Sequence, residues 1–230
     1  MDSNNPYLTT RITLTRELNR LKESVFNIGE SSCQCLSMVV SSFTVYSDFL
    51  ESKSIETYKS VSNSSEIVEN DCLTILSLQQ PLLRDLRMVV GVLKIASYLT
   101  RIASYSSKLV KISGMIEDKS LIPSELITIA ESCQLMLSDV LKAFNSGSVE
   151  LALELVKKDE QIHLLHDSSL QKIIKRMTKE KAELVEIDAQ LLTSVRLLER
   201  IGDSIASIAK EVYFIYSGKK FHDSHHNNPE

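Results

Sequence analysis

Apolar residues recur every three to four positions along nearly the whole chain, and breaks in that recurrence divide it into six segments. The first runs from about Leu8 to Tyr46, with Leu14, Leu18, Leu21, Val25 and Ile28 on one stripe, and breaks near Ser47-Asp48. The second carries Val61, Val68, Cys72 and Ile75 and ends at Gln79-Gln80. Pro81 suits the first turn of the third, where its missing N–H is not needed, and Leu82, Val89, Ala96, Leu99, Ala103 and Val110 give that segment its stripe as far as Gly114. Pro123-Ser124-Glu125 opens the fourth, and Asn145-Ser146-Gly147 reads as its stop. Ser148 is placed to cap the fifth, which shows Leu155, Ile162, Leu170, Ile173 and Met177 and ends before Lys179. The sixth follows Leu184, Leu191, Val195, Leu198, Ile205 and Val212 to Gly218. A period of 3.6 throughout predicts helices, several longer than 25 residues and so roughly 40 Å long.

The two halves match at an offset near 100 residues. Ser32-Cys33-Gln34 recurs as Ser132-Cys133-Gln134, and Leu99-Thr100-Arg101-Ile102-Ala103-Ser104 lines up with Leu198-Glu199-Arg200-Ile201-Gly202-Asp203. The expected fold is therefore all-α, two similar antiparallel three-helix bundles in tandem. The first bundle is expected over residues 1–117 and the second over 118–221, with 222–230 a disordered polar tail.

Composition agrees. Only 6 glycines and 4 prolines occur in 230 residues, too few for the many turns of a sheet protein. The formal net charge of −4 gives no reason to expect nucleic acid. Met1 to Pro6 lacks the basic and apolar regions of a signal peptide, and no apolar run approaches the roughly 18 to 20 residues of a membrane span. Any membrane association is thus expected to pass through a partner. Cys33, Cys35, Cys72 and Cys133 read as small core residues; Cys33 and Cys35, two apart on a helix, suit neither a bridge nor a zinc knuckle.

Two stretches carry a family resemblance. Gln79-Gln80-Pro81 with Asp85-Leu86-Arg87 and Leu93-Lys94-Ile95 looks like the QQP…DLR…LKI signature of the PhoU family, and Leu198-Glu199-Arg200-Ile201-Gly202-Asp203 is similar to that family's LERIGD motif. The resemblance extends from about Leu14 to Phe221. It implies a cytoplasmic, non-enzymatic regulator, an adaptor between a phosphate ABC transporter's ATPase subunit and a sensor histidine kinase, which restrains phosphate uptake and starvation signalling. A homodimer is expected as well.

The same resemblance implies a metal site. The family's E(D)xxxD motifs set two carboxylates one turn apart, and Glu199 and Asp203 keep that spacing here. On the fifth helix the facing motif reads Asp159-Glu160-Gln161-Ile162-His163, so Asp159 and His163 complete the candidate set, with Asp167 a turn further. Mixed imidazole and carboxylate ligands favour iron, zinc or manganese. Arg196 and Arg200, each three residues before an acid, offer the plainer reading of surface ion pairs. In the first half Thr100 and Ser104 replace the two acids, and the second-helix motif falls on Tyr58 and Ser62, so that half is expected to bind no metal.

Remaining motifs add little. Glu160 and His163 have the ExxH spacing of di-iron bundles, but in one copy. His222, Asp223, His225 and His226 lie in the polar tail. Gly114, Gly147 and Gly218 read as isolated helix stops rather than a phosphate loop, and no nucleophile motif is present. The alternative to the adaptor is a metal-storage or ferritin-like bundle with its chemistry at Glu199 and Asp203.

Overall fold

A computed structural model of the chain describes residues 6–177 and 184–221, without the side chains of 6–10 and 159–163. The tail histidines therefore lie outside the described residues. Every regular element among the described residues is helical: α1 Pro6–Thr44, α2 Asp48–Gln79, α3 Leu83–Met115, a 3-10 turn Lys119–Leu121, α4 Ser124–Ser146, α5 Val149–Met177 and α6 Val185–Ser217. The fold is all-α, with two antiparallel three-helix bundles in tandem.

Local chemistry sets most ends. The Ser47 hydroxyl accepts from the Leu50 N–H at 3.2 Å and starts α2, and Ser148 does the same for Leu151 at the head of α5. Gly147 and Gly218, both at φ 73°, end α4 and α6 in the left-handed conformation that glycine adopts without strain. Gly114 is different. It is the second-last residue of α3, which ends at Met115 as expected, but without the left-handed turn of the other two; a Cβ there would lie 2.6 Å from the Tyr46 ring, so the glycine makes room for an aromatic.

The start of α3 also corrects the expectation. Pro81 is buried in the connection rather than in the first helical turn, and helix begins only at Leu83. Leu82, expected on the buried stripe, is 75% exposed. The other stripe positions from Val89 to Val110 are buried.

Within each half all three helices touch; α1 also packs on α4, and α3 on α6. These four helices form the seam between the halves, with α2 and α5 outside, and one continuous apolar core runs through both. The seam pairs run antiparallel. Gly29 meets Leu141 where Lys22 donates to the Asn145 carbonyl at 2.6 Å, and Gly91 meets Ile215 where Lys94 pairs with Glu211 at 2.9 Å.

Burial also gives the register of the repeat. Val25, Ile28, Ser32, Leu36, Val39 and Phe43 are buried on α1; Leu126, Ile129, Cys133, Leu137, Val140 and Phe144 are buried on α4. That match runs at an offset of 101, so Ser32 corresponds to Cys133 and the shared Ser-Cys-Gln letters are one position out of register. Both buried side chains do the same thing: the Ser32 hydroxyl approaches the Leu99 carbonyl at 3.3 Å, and the Cys133 thiol approaches that of Leu198 at 4.0 Å. On α3 and α6 the buried sets match at 99, which keeps Thr100 opposite Glu199 and Ser104 opposite Asp203.

Candidate functional site

The acids singled out in the sequence lie on α6, where Val195, Leu198, Ile201, Ile205 and Val212 bury one face and raise Glu199 and Asp203 beside it. Each acid turns to a different neighbour. Glu199, half-buried, faces α5: its Oε2 lies 3.1 Å from Nε2 of His166, a ring that is only 6% exposed. The contact is an ion-pair distance without hydrogen-bond alignment, which leaves that buried nitrogen without a hydrogen-bond partner among the described residues. The other ring nitrogen, Nδ1, is 3.4 Å from the exposed Asp167.

His166 was not singled out in the sequence, although it lies one turn beyond His163. Its signal was there to find, since a histidine three residues before the buried Ser169 and seven before the buried Ile173 falls on the inner face of α5. Asp159 and His163 belong to the same helix, but their side chains lie outside the described residues. Among the described residues no three His, Cys, Asp or Glu side chains converge as a cation needs. The described donors thus do not by themselves fit a metal.

Asp203 turns to α3. With Arg101, Tyr105, Arg200, Ser204 and Ser207 it lines a shallow cavity of about 160 Å³ on the seam. Arg101 and Arg200 are equivalent residues of the two repeats, brought together because α3 and α6 cross antiparallel at this point. The Arg200 guanidinium stands 6.0 Å from the Tyr105 ring centroid and Lys108 5.6 Å from the same ring, while Arg101 lies 5.7 Å from Tyr98. The Ser204 and Ser207 hydroxyls donate to the Arg200 and Asp203 carbonyls of their own helix, at 2.7 and 2.8 Å. The cavity's charged groups are therefore two guanidinium donors, Arg101 and Arg200, and the Asp203 carboxylate, which leaves its lining positive by one charge.

In the first half the Thr100 hydroxyl donates to the Ala96 carbonyl at 3.0 Å, so it serves its own helix. Burial pushes the Cys33, Cys35 and Cys72 thiols up to about 12, as suits small core residues rather than ligands or nucleophiles.

The family model of the PhoU domain matches residues 25–113 and again 126–212. The chain is 28% identical over 225 residues to the phosphate-specific transport system accessory protein PhoU homolog of Borreliella burgdorferi, covering 91% of this chain and 97% of that one. It is 24% identical over 209 residues to the accessory protein PhoU of Escherichia coli, covering 89% and 86%. The crystal structure of PhoU from Pseudomonas aeruginosa superposes with a TM-score of 0.84 at 22% identity, over 89% of this chain and 99% of that one.

Proposed function

This chain belongs to the PhoU family, and we propose that it is a cytoplasmic, non-enzymatic regulator of phosphate uptake, an adaptor between a phosphate ABC transporter's ATPase subunit and a sensor histidine kinase. The observation that carries the reading is the seam cavity, where the repeat's two equivalent arginines meet on a rigid platform of long helices. A platform of that kind holds partners: recognition over ~1,200–2,000 Å² needs fixed faces, and Arg101 and Arg200 supply paired guanidinium forks for acidic side chains. The relatives' role as accessory proteins of phosphate-specific transport supports the same reading. The division into units 1–117 and 118–221 and a homodimer belong to the proposal.

Deletion of the gene is expected to raise phosphate uptake or starvation-gene output when phosphate is ample. Arg101→Glu with Arg200→Glu is expected to reproduce the deletion while preserving the helical circular dichroism spectrum. Unchanged uptake and unchanged output in the deletion strain would refute the regulator.

A second reading, a metal-binding bundle, is favoured by one observation: Glu199 already faces α5 across 3.1 Å from His166. Its proposed ligands are Glu199 and Asp203 with Asp159 and His163, for iron, zinc or manganese. Elemental analysis after purification tests it. Metal should be lost on Glu199→Gln with Asp203→Asn, and full occupancy in that double variant would exclude these ligands.

A further inference from the structure

The corner between α2 and α3 carries features that neither the seam nor the core explains. Leu78, Leu82 and Leu83 are 74, 75 and 80% exposed, and Leu86, one turn into α3, is exposed beside them. They project outward. The neighbouring cavity of about 470 Å³ at Lys22 is lined by Asn19, Glu23, Phe26, Asn27 and Asn145 and takes in none of these leucines. The corner is also held under strain. Gln80 at φ 44° and Leu83 at φ 52° both occupy the left-handed region, although neither is glycine. Pro81 is buried between them and anchors the turn from which Leu82 and Leu83 protrude. Strain maintained in order to expose apolar side chains points to use.

Positive charge flanks the leucines on the side that faces α1 and the end of α6. Arg84 lies close enough to Lys22 to help hold that ammonium below its ordinary value, after the larger effect of burial. The Arg87 guanidinium carbon would be 3.3 Å from a Cβ placed on Gly218, so the exposed Lys219 and Lys220 follow directly beside it. The acids of this region are Asp85 on the same turn, Glu23 beside Lys22, and Glu17 and Asp71, which share a cavity with Arg20, Thr74 and Ile75 about one turn before Leu78. Cations outnumber them.

A protruding apolar tip with cations along one flank fits a surface that is soft and negatively charged. A rigid protein partner would need a matching hollow, whereas a lipid headgroup layer yields to inserted side chains and supplies phosphates. No described helix is long and apolar enough to cross a membrane, so contact of this kind is peripheral. We propose that the α2–α3 corner is a direct contact site for an anionic lipid bilayer, with Leu78, Leu82, Leu83 and Leu86 entering the headgroup region and Arg84, Arg87, Lys219 and Lys220 meeting lipid phosphates. This departs from the expectation that the membrane is reached only through partners, and it stands independently of which protein partners the chain has.

The test is co-sedimentation of the full chain with phosphatidylcholine vesicles, with and without phosphatidylglycerol. Binding is expected only with phosphatidylglycerol and should weaken as salt rises. Leu82→Ser with Leu83→Ser should weaken it more than tenfold, by removing two inserted side chains, with an unchanged circular dichroism spectrum. Lys219→Ala and Lys220→Ala should each cost about fivefold. Failure to bind phosphatidylglycerol vesicles would overturn the proposal. So would equal binding to both kinds of vesicle, or undiminished binding by the double leucine variant. The deletion phenotype is a separate readout, so failure here is distinguishable from failure of the regulatory reading.

Discussion

Gly29→Ala probes how tightly the two bundles are joined. A Cβ at this position of α1 would stand 2.3 Å from Cδ2, 2.7 Å from Cδ1 and 3.1 Å from Cγ of Leu141 on α4. Ordinary contact begins near 3.4 Å, so Leu141 must retreat by about 1 Å. It has little room to do so, being 1% exposed and clashing through its branch point as well as both methyls. Overpacking of this kind costs about 1–3 kcal/mol, and three close atoms place it near the upper end. Alanine in place of glycine within a helix returns about 1 kcal/mol. The net expectation is a loss of about 2 kcal/mol, read from urea unfolding followed by helical circular dichroism with an unchanged m-value. Leu141→Ala alone should cost about 2–5 kcal/mol through its cavity. In that background the clash is gone, and Gly29→Ala should change sign to stabilise by about 1 kcal/mol. A Gly29→Ala chain that is neutral or stabilised in the wild-type background would show that the seam yields and is not a rigid platform.

Two further perturbations test the second bundle. Arg176 donates through Nε to Asp188 Oδ1 at 2.7 Å and through Nη1 to the Leu121 carbonyl at 3.2 Å, while Asp188 is 1% exposed. Arg176→Met leaves that carboxylate buried without its cation and should cost about 3–5 kcal/mol; a shift in melting temperature under a degree would refute the pairing. Lys172, which bonds Glu125 across α4 and α5, holds the Glu125 carboxyl below its usual 4.5. A depressed folded value means that the stability from this pair is present above pH 4.5 and is lost as pH falls through the lower folded value. Glu125→Gln should therefore flatten part of the acid limb of stability against pH, and an identical limb in both proteins would count against the bond.

The sequence by itself determined the helices, because a helix is decided within four or five residues. The caps at Ser47 and Ser148, the left-handed stops at Gly147 and Gly218, and the 3.6-residue stripe that buries Val61, Val68, Cys72 and Ile75 are all local facts. The two-repeat plan was legible for the same reason. What needed the tertiary structure depends on which side chains meet across helices. The Ser-Cys-Gln letters suggested an offset of 100, yet burial equates Ser32 with Cys133, since a one-residue step turns a helix by 100° and only packing shows which face is inside. The family resemblance set Asp159 and His163 with Glu199; the crossing of α5 and α6 also brings His166 to that acid, a contact that no motif announces. Periodicity put Leu82 on the stripe, but the turn at Gln80 and Leu83 carries it outward, and backbone dihedrals of that kind leave no hydrophobic pattern behind. Arg101 and Arg200 stand 99 positions apart and meet only because antiparallel α3 and α6 cross where both repeats present the same residue. Helix-forming signals are local and therefore legible in one dimension, whereas contacts between helices depend on crossing angle and register, which packing alone decides.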